Sequence, residues 1–244
     1  GGSVMDMTKI VAACLTNPGY VENVQDTGRI LNPPAKTFMI PTTAGTGAEA
    51  TPNAIFLFPE QNLKIGIVSQ AFVASYVILD GKMTRSLPAS LTASTGIDAL
   101  CHAVESYISI LANPLSQVFS KAAIEKICAN LEKAWKDGSD LEARQNLLEG
   151  AFLAGVCLTS SSTVAVHALS YPLGGKYHIP HGVSNAILLE AVMRVNLPDC
   201  QEAFTELAPL MLSDCGNIPK EKWPEAVVDY MGGLCRRLQI PDSL

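Results

Sequence analysis

The pattern of apolar and polar residues changes near residue 88. Before that point, short apolar runs alternate with segments rich in glycine, proline and hydroxyl side chains, which is typical of strands and turns. After it, apolar residues recur every three to four positions over long stretches, as on the buried face of a helix. The sequence therefore predicts an α/β portion over residues 1–88, followed by an all-helical domain over residues 89–244.

The α/β portion is predicted to begin with a helix over residues 7–15, followed by a mostly irregular segment. Two β-rich runs, 54–58 and 64–68, are separated by Pro59-Glu60-Gln61-Asn62, which predicts a hairpin. Further short buried strands are expected over residues 37–41 and 76–80.

The helical domain is predicted from apolar spacing. Its expected helices cover residues 90–110, 116–135, 141–157, 183–195, 202–212 and 223–238. Residues 159–169 have small side chains and are expected to pack closely against neighbouring elements. A sharp turn is predicted between residues 174 and 180, because Gly174-Gly175 and Pro180 fall there.

Composition narrows the classes of function. The net charge is −6 and no Lys/Arg cluster occurs, which disfavours nucleic-acid binding. Although 48% of residues are hydrophobic, no uninterrupted apolar run reaches membrane-spanning length. The seven cysteines are odd in number and form no C-x-x-C pair, so we expect reduced thiols and a cytoplasmic location. Because the chain opens on glycine without an initiator methionine, we interpret it as a fragment.

All four histidines fall in two stretches of the chain. Asp98 and His102 are four residues apart in a predicted helix, so their side chains share one face. With His167 and His181 they offer one carboxylate and three imidazoles, a set that suits Fe²⁺ or Zn²⁺ better than Mg²⁺ or Ca²⁺. The alternative is that the histidines are unrelated, each one buried or capping a helix. That explanation suits any single histidine, but it suits the whole set less well. The fourth histidine, His178, is expected at the surface or supporting the site.

Two segments of the α/β portion have the composition of anion- or cofactor-binding loops. Gly1-Gly2-Ser3 precedes a predicted helix, where free backbone N–H groups hold phosphate, although the same residues suit any tight turn. The run of threonines and glycines over 42–49 follows a predicted strand, so its hydroxyls could contact a cofactor or form an ordinary turn. Lys64 could anchor a ligand, but lysines at strand starts are usually solvated.

Four motifs in order resemble the iron-containing, group III alcohol dehydrogenases. They are Gly-Gly-Ser-x-x-Asp at 1–6, Pro-Thr-Thr-Ala-Gly-Thr-Gly at 41–47, Gly-Ile-Asp-Ala-Leu-x-His at 96–102 and Pro-His-Gly at 180–182. His167 stands 14 positions before His181, the spacing of the family's last two ligands. The resemblance covers almost the whole chain.

The resemblance implies a dehydroquinate synthase-like fold, with an α/β domain that binds NAD or NADP, a helical domain that binds Fe²⁺ or Zn²⁺, and an active site between them. It implies that Asp98, His102, His167 and His181 are the metal ligands. The implied cofactor contacts are Gly1, Gly2 and Ser3 at the pyrophosphate with Asp6 nearby, Thr42, Thr43 and Thr46 along the cofactor, and Lys64 at its ribose–nicotinamide side.

The implied activity is interconversion of a small alcohol and its aldehyde or ketone by hydride transfer, with the ion polarising the substrate oxygen. Alternatives are a metal- and NAD-dependent lyase of the dehydroquinate synthase type, or a fragment without activity. Many family members have a histidine four residues after the third ligand, where this chain has Tyr171. The tyrosine could serve a proton relay or indicate a different substrate class. Expected partners are a small alcohol or carbonyl substrate and, as a further expectation, other copies of the chain, but neither nucleic acid nor membrane.

Overall fold

A computed structural model of the protein describes residues 1–58 and 63–241, and at residues 57, 58, 63 and 64 it describes the backbone alone. The predicted turn Pro59-Glu60-Gln61-Asn62 lies outside the described residues, as does the side chain of Lys64. All described strands precede residue 88, and seven of the described α-helices follow it. The division into two domains at that residue stays a prediction.

The N-terminal region consists of one long helix and four strands in two small sheets. Helix α1 covers Gly2–Thr16. Strands β2 (Asn53–Phe58) and β3 (Leu63–Val68) form the predicted antiparallel hairpin, with Asn53 opposite Val68. Strands β1 (Phe38–Met39) and β4 (Tyr76–Val77) pair in parallel.

β1 and β4 are shorter than the predicted strands 37–41 and 76–80. Pro41 has no backbone N–H to add to a ladder, and the chain then enters the threonine- and glycine-rich loop. At the other strand, the Asp80 carboxylate accepts from the Lys82 N–H at 2.9 Å and caps a short 3₁₀ helix, Gly81–Thr84. Turn chemistry therefore ends both strands early.

Seven α-helices make up most of the described residues after residue 88. They are α2 (Ala89–Ile108), α3 (Pro114–Lys136), α4 (Leu141–Ser161), α5 (Ala165–Tyr177), α6 (His181–Asn196), α7 (Gln201–Met211) and α8 (Trp223–Arg237). The six predicted helices are confirmed to within a few residues. The prediction missed α5, because Pro172, Gly174 and Gly175 all lie within it.

Helix α2 is the centre of the helical region. It packs against α3, α4 and α6, and fifteen of its twenty residues are buried. Leu131 of α3 packs directly on the backbone of Gly96, so the two helices approach closely at that point. A helix buried on nearly every side is held rigidly, and the side chains it directs inward have fixed positions.

The N-terminal region packs on α4. Gly47 and Gly155 meet backbone to backbone, since a Cβ added at Gly155 would lie 2.6 Å from the Gly47 carbonyl oxygen. The Gln145 side chain accepts from the Gly81 N–H at 2.7 Å and donates to the Leu79 carbonyl at 3.3 Å.

Within the part of the chain described, no single helix is long and apolar enough to cross a membrane. Helices α4 and α5 meet those criteria only when taken as a pair, and the pair is bent by 105°.

Candidate active site

Three helices bring the predicted metal ligands together. Asp98 and His102 lie one turn apart on α2, His167 lies in the first turn of α5, and His181 begins α6. The Asp98 Oδ1 atom is 3.5 Å from the Nε2 atoms of both His167 and His181, and 4.0 Å from that of His102.

Asp98, His167 and His181 offer one donor atom each within 4.8 Å of one another, which suits an ion with bonds of about 2.0–2.2 Å. The His102 ring lies 4.4 Å from that of His167, centroid to centroid, and is close to this group without being part of it. One carboxylate oxygen and imidazole nitrogens directed at one point fit Fe²⁺ or Zn²⁺. The assignment of the four as ligands stays a prediction.

Burial and mutual attraction set the protonation of the cluster. Burial alone would raise the pKa of Asp98, but the charges of the histidines, His102 first, and the hydrogen bond with His167 hold it well below its usual range. Burial lowers the pKa of His102 to about 3, against the attraction of Asp98. Burial also acts to lower the pKa of His167, but its hydrogen bonds with Asp98 and Glu105 outweigh it and raise that pKa to about 9. The cluster therefore combines an ionised carboxylate with a neutral imidazole at His102.

The last two histidines meet because the chain turns between α5 and α6. The predicted turn is therefore confirmed, although it comes after Gly174-Gly175, because α5 continues through both glycines. It occurs at His178, which has a left-handed backbone with φ of 56°, and ends at Pro180, which precedes α6. A Cβ at Gly182 would lie 2.2 Å from the Ser94 carbonyl oxygen, so only glycine allows α6 to start this close to α2.

Two buried polar side chains in the cluster were not predicted from the sequence. Glu105 accepts from the Val166 N–H at 2.7 Å and hydrogen-bonds the Nδ1 atom of His167. The Asn185 amide nitrogen donates to Asp98 Oδ1 at 2.7 Å and lies 3.1 Å from His167 Nε2. Spacing could have identified both, because Glu105 falls on the Asp98 face of α2 and Asn185 lies one turn after His181.

The cluster forms one wall of a cavity of about 230 Å³. The opposite wall comes from the N-terminal region, where Gly2, Ser3 and Asp6 of α1 and Thr46 of the threonine-rich loop line it. Lys9 holds α1 in place, donating from its ammonium group to the carbonyl oxygens of Thr51 and Asn53 at 2.8 and 2.6 Å. The first turn of α1 therefore faces the same cavity as the histidines.

Gly1, Thr42 and Thr43 are not among the described residues that line the cavity, and the side chain of Lys64 lies outside the described residues. Gly1 is close to the Thr43 side chain, and Thr42 is exposed. Tyr171 lies in the helical wall, 39% exposed, with its ring 6.1 Å from that of His181. Burial, then the charges of Asp98 and Glu105, raises the pKa of its phenol, so the hydroxyl keeps its proton at neutral pH. His178 is exposed and outside the cavity lining, in keeping with the expectation for it.

The sequence of both regions matches the models of one known protein family. Residues 92–244 match the model of the Fe-containing alcohol dehydrogenase family, C-terminal domain, and residues 1–81 match that of iron-containing alcohol dehydrogenase. The chain belongs to the iron-containing alcohol dehydrogenase family.

Curated relatives and solved structures agree with this placement. The chain is 39% identical over its full length to 1,3-propanediol dehydrogenase of Klebsiella pneumoniae, covering 63% of that protein. It is 39% identical over 85% of its length to long-chain-alcohol dehydrogenase 1 of Geobacillus thermodenitrificans, covering 53% of it. A crystal structure of 1,3-propanediol oxidoreductase superimposes with a TM-score of 0.92 at 36% identity, covering 99% of this chain and 63% of that one.

A further structure, sulfoacetaldehyde reductase from Bifidobacterium kashiwanohense in complex with NAD⁺, superimposes with a TM-score of 0.88 at 29% identity. This match covers 99% of the present chain and 62% of the reductase. The chain thus spans between about half and two thirds of the length of the relatives it matches.

Proposed function

We propose that the protein is a metal-dependent, NAD(P)-linked oxidoreductase that interconverts a small alcohol and its aldehyde or ketone. The observation that carries the proposal is the shared cavity, which has Asp98, His167 and His181 on one wall and the first turn of α1 on the other. Relatives named as alcohol and propanediol dehydrogenases, and a related structure named as an NAD⁺ complex, support it.

In this proposal the two walls have separate tasks. Asp98, His102, His167 and His181 hold Fe²⁺ or Zn²⁺, which when bound supplies Lewis-acid polarisation of an alcohol or carbonyl oxygen. The free N–H groups at the start of α1, with Gly1, Gly2 and Ser3, bind the cofactor pyrophosphate.

The cofactor's remaining contacts are assigned to Asp6, Thr42, Thr43, Thr46 and Lys64. Residues 1–88 then form the cofactor portion, and residues 89–244 the metal domain, with a cytoplasmic setting proposed for both. Nicotinamide cofactor and substrate carbon would meet in the cavity, where the protein supplies position and charge.

Tyr171 is the proposed proton-handling group of the helical wall. Its phenol has an ordinary pKa near 10, which burial raises further, so it keeps its proton at working pH and can donate it to an oxygen of the substrate. The proposal is supported by the position of the ring, which lines the cavity beside His181.

The lyase alternative is disfavoured by charge. A phosphorylated polyol acid requires several cationic side chains, and no lysine or arginine is found among the described residues that line the cavity. The other alternative is that the chain is a fragment without activity. A calorimetric titration of this chain with NAD(P)H tests it, because clear binding would exclude that alternative.

The proposal is tested on the full-length protein loaded with Fe²⁺ or Zn²⁺. His167→Ala should lower metal affinity by more than about 100-fold, beyond the loss typical of a supporting residue, and abolish NAD(P)H turnover on a panel of small alcohols and aldehydes. His178→Asn is the matched control, since asparagine tolerates the left-handed backbone and His178 is outside the cavity. Undiminished turnover in His167→Ala would refute the metal role.

A further inference from the structure

Glu105 is a buried carboxylate to which the proposed reaction assigns no task. It lies on α2, one turn beyond His102, and its side chain is 0% exposed. An isolated buried carboxylate is costly, so its partners determine why it is tolerated. Those partners are both in the first turn of α5, the helix that carries the third predicted ligand.

The two oxygens of Glu105 contact different groups. Oε1 accepts from the Val166 N–H, and Oε2 from the Nδ1 atom of the His167 ring. Helix α5 has no side-chain cap of its own, so Glu105 satisfies one of the N–H groups left free at its start. A carboxylate is also favoured there by the positive end of the helix dipole.

The contact with His167 has a chemical consequence. Because a carboxylate only accepts hydrogen bonds, Nδ1 of His167 must carry the proton and donate it to Glu105. Nε2, which faces Asp98 at 3.5 Å, is then the nitrogen that would ligate an ion, and the ion would displace the proton held there by the charged ring. A neutral imidazole with the opposite tautomer would direct an N–H at the same point and could not ligate there.

We propose that Glu105 is a positioning residue that fixes the ring orientation and the Nδ1–H tautomer of His167, and so sets the affinity of the site for its ion. The inference rests on the proposed metal site and deepens it. Glu105 does not touch the ion or the substrate. It acts through His167, as carboxylates act on histidine ligands in other metal sites.

A glutamine at this position separates hydrogen bonding from packing. Glu105→Gln retains the length of the side chain and the acceptor for the Val166 N–H, but it presents an NH₂ group to His167. Nδ1 must then accept, which turns the protonated nitrogen toward the ion. Glu105→Asp retains the carboxylate and loses one methylene, so it should recover part of the affinity.

In the test, metal-free, full-length protein is titrated with Co²⁺, and binding is measured from the d–d absorption of the ion. Glu105→Gln should bind Co²⁺ about 10- to 100-fold more weakly than wild type, with Glu105→Asp between them. Thermal unfolding of the metal-free proteins should differ little. Glu132→Gln is the control, because it removes the same charge from a partly exposed ion pair with Arg237.

A second readout reports the tautomer directly. With ¹⁵N-labelled histidines, four in this chain, Zn²⁺-loaded wild type should show a protected, downfield Nδ1 proton for His167 that is absent in Glu105→Gln. Absence of that proton in wild type would overturn the proposal even if Glu105→Gln does not fold.

The binding outcomes separate the two hypotheses. Equal Co²⁺ affinity in Glu105→Gln and wild type would overturn the role of Glu105 and leave the metal site intact. Equal losses in Glu105→Gln and Glu105→Asp would indicate packing instead of hydrogen bonding, and would overturn it too. If wild type bound no Co²⁺, or if His167→Ala bound it as tightly, the metal site itself would fail.

Discussion

The two walls of the cavity belong to regions that are packed very differently. The helical region has one continuous core in which α2 is buried on nearly every side. The described side chains of the N-terminal region form two small clusters, one of six buried apolar residues and one of three. It also exposes many large apolar side chains, among them Val4, Met7, Val11, Leu15, Val21, Leu31 and Phe38.

This difference corresponds to what each wall is proposed to do. A metal site needs donor atoms placed to within a fraction of an ångström, and close-packed helices hold side chains that well. The wall facing it is built from a helix N-terminus and a loop, whose backbone N–H and hydroxyl groups suit an extended ligand. The close packing of the helical region thus meets the requirement of a metal site.

The largest expected effect is the difference between truncating a leucine in the helical core and truncating a leucine in the N-terminal region. Leu131→Ala empties a site that is 0% exposed and should lower the free energy of unfolding by about 2–5 kcal/mol. Leu15→Ala, at a position 70% exposed on α1, should change it by no more than about 0.5 kcal/mol. Urea unfolding followed by circular dichroism measures both.

Equal costs for the two substitutions would show that the regions are packed alike. Leu15 then would be covered in solution, and the contrast between the walls would not hold. A cost at Leu131 below about 1 kcal/mol would mean that the helical core relaxes into the space, contrary to the rigidity inferred for α2.

The accuracy with which the sequence predicts helices and strands also differs between the two regions. Helical periodicity is local, so α2 to α4 and α6 to α8 could be located to within a few residues. Strand pairing is not local, and the apolar runs around Phe38 and Tyr76 did not show that only two residues of each would pair. Helix α5 was missed because its proline and glycines oppose its own conformation, which tertiary packing overrides.

The site was predictable only as far as residue type and spacing extend. Asp98, His167 and His181 lie together with His102 beside them, and they could be selected because histidines are few and Asp98 and His102 share a helix face. Spacing could have placed Glu105 and Asn185 on the helix faces that carry ligands, but their partners lie 62 and 87 positions away, and no local pattern specifies which groups they contact. Which ring nitrogen faces Asp98 also depends on Glu105, so it requires the folded structure.

The second prediction concerns the contact between the two regions. Gly155→Ala would place a methyl group 2.6 Å from the Gly47 carbonyl oxygen, where only backbone movement can relieve the overlap. Stability should fall by about 1–3 kcal/mol. Since Gly47 follows Thr46 in the cavity wall, affinity for NAD(H) should fall more than affinity for the metal.

Gly175→Ala is the matched control, because apart from its chain neighbours and the backbone of its own helix nothing lies within 4 Å of the added Cβ, and alanine favours a helix. It should leave stability unchanged or raise it by up to about 1 kcal/mol. If Gly155→Ala weakened metal binding as much as cofactor binding, the helical wall would not be independent of its neighbour. Calorimetric titration of each ligand distinguishes these results.

The smallest effect tests the N-terminal core through pH. Tyr20 is fully buried and donates its hydroxyl to the Val24 carbonyl, and burial raises its pKa to about 12. The unfolded chain releases that proton near pH 10, while the folded chain retains it to about pH 12, so stability from Tyr20 is present below pH 10 and lost as pH rises through 12.

Tyr20→Phe should therefore be less stable than wild type by about 0.5–1.5 kcal/mol at pH 8. At pH 11 wild type should have lost about 1.4 kcal/mol of stability relative to Tyr20→Phe, because each pH unit between the two pKa values corresponds to that much free energy. Groups common to both proteins cancel in the difference, which urea unfolding at the two pH values measures. A difference independent of pH would mean that Tyr20 is hydrated in the folded protein, and that the small N-terminal core is more open than its contacts indicate.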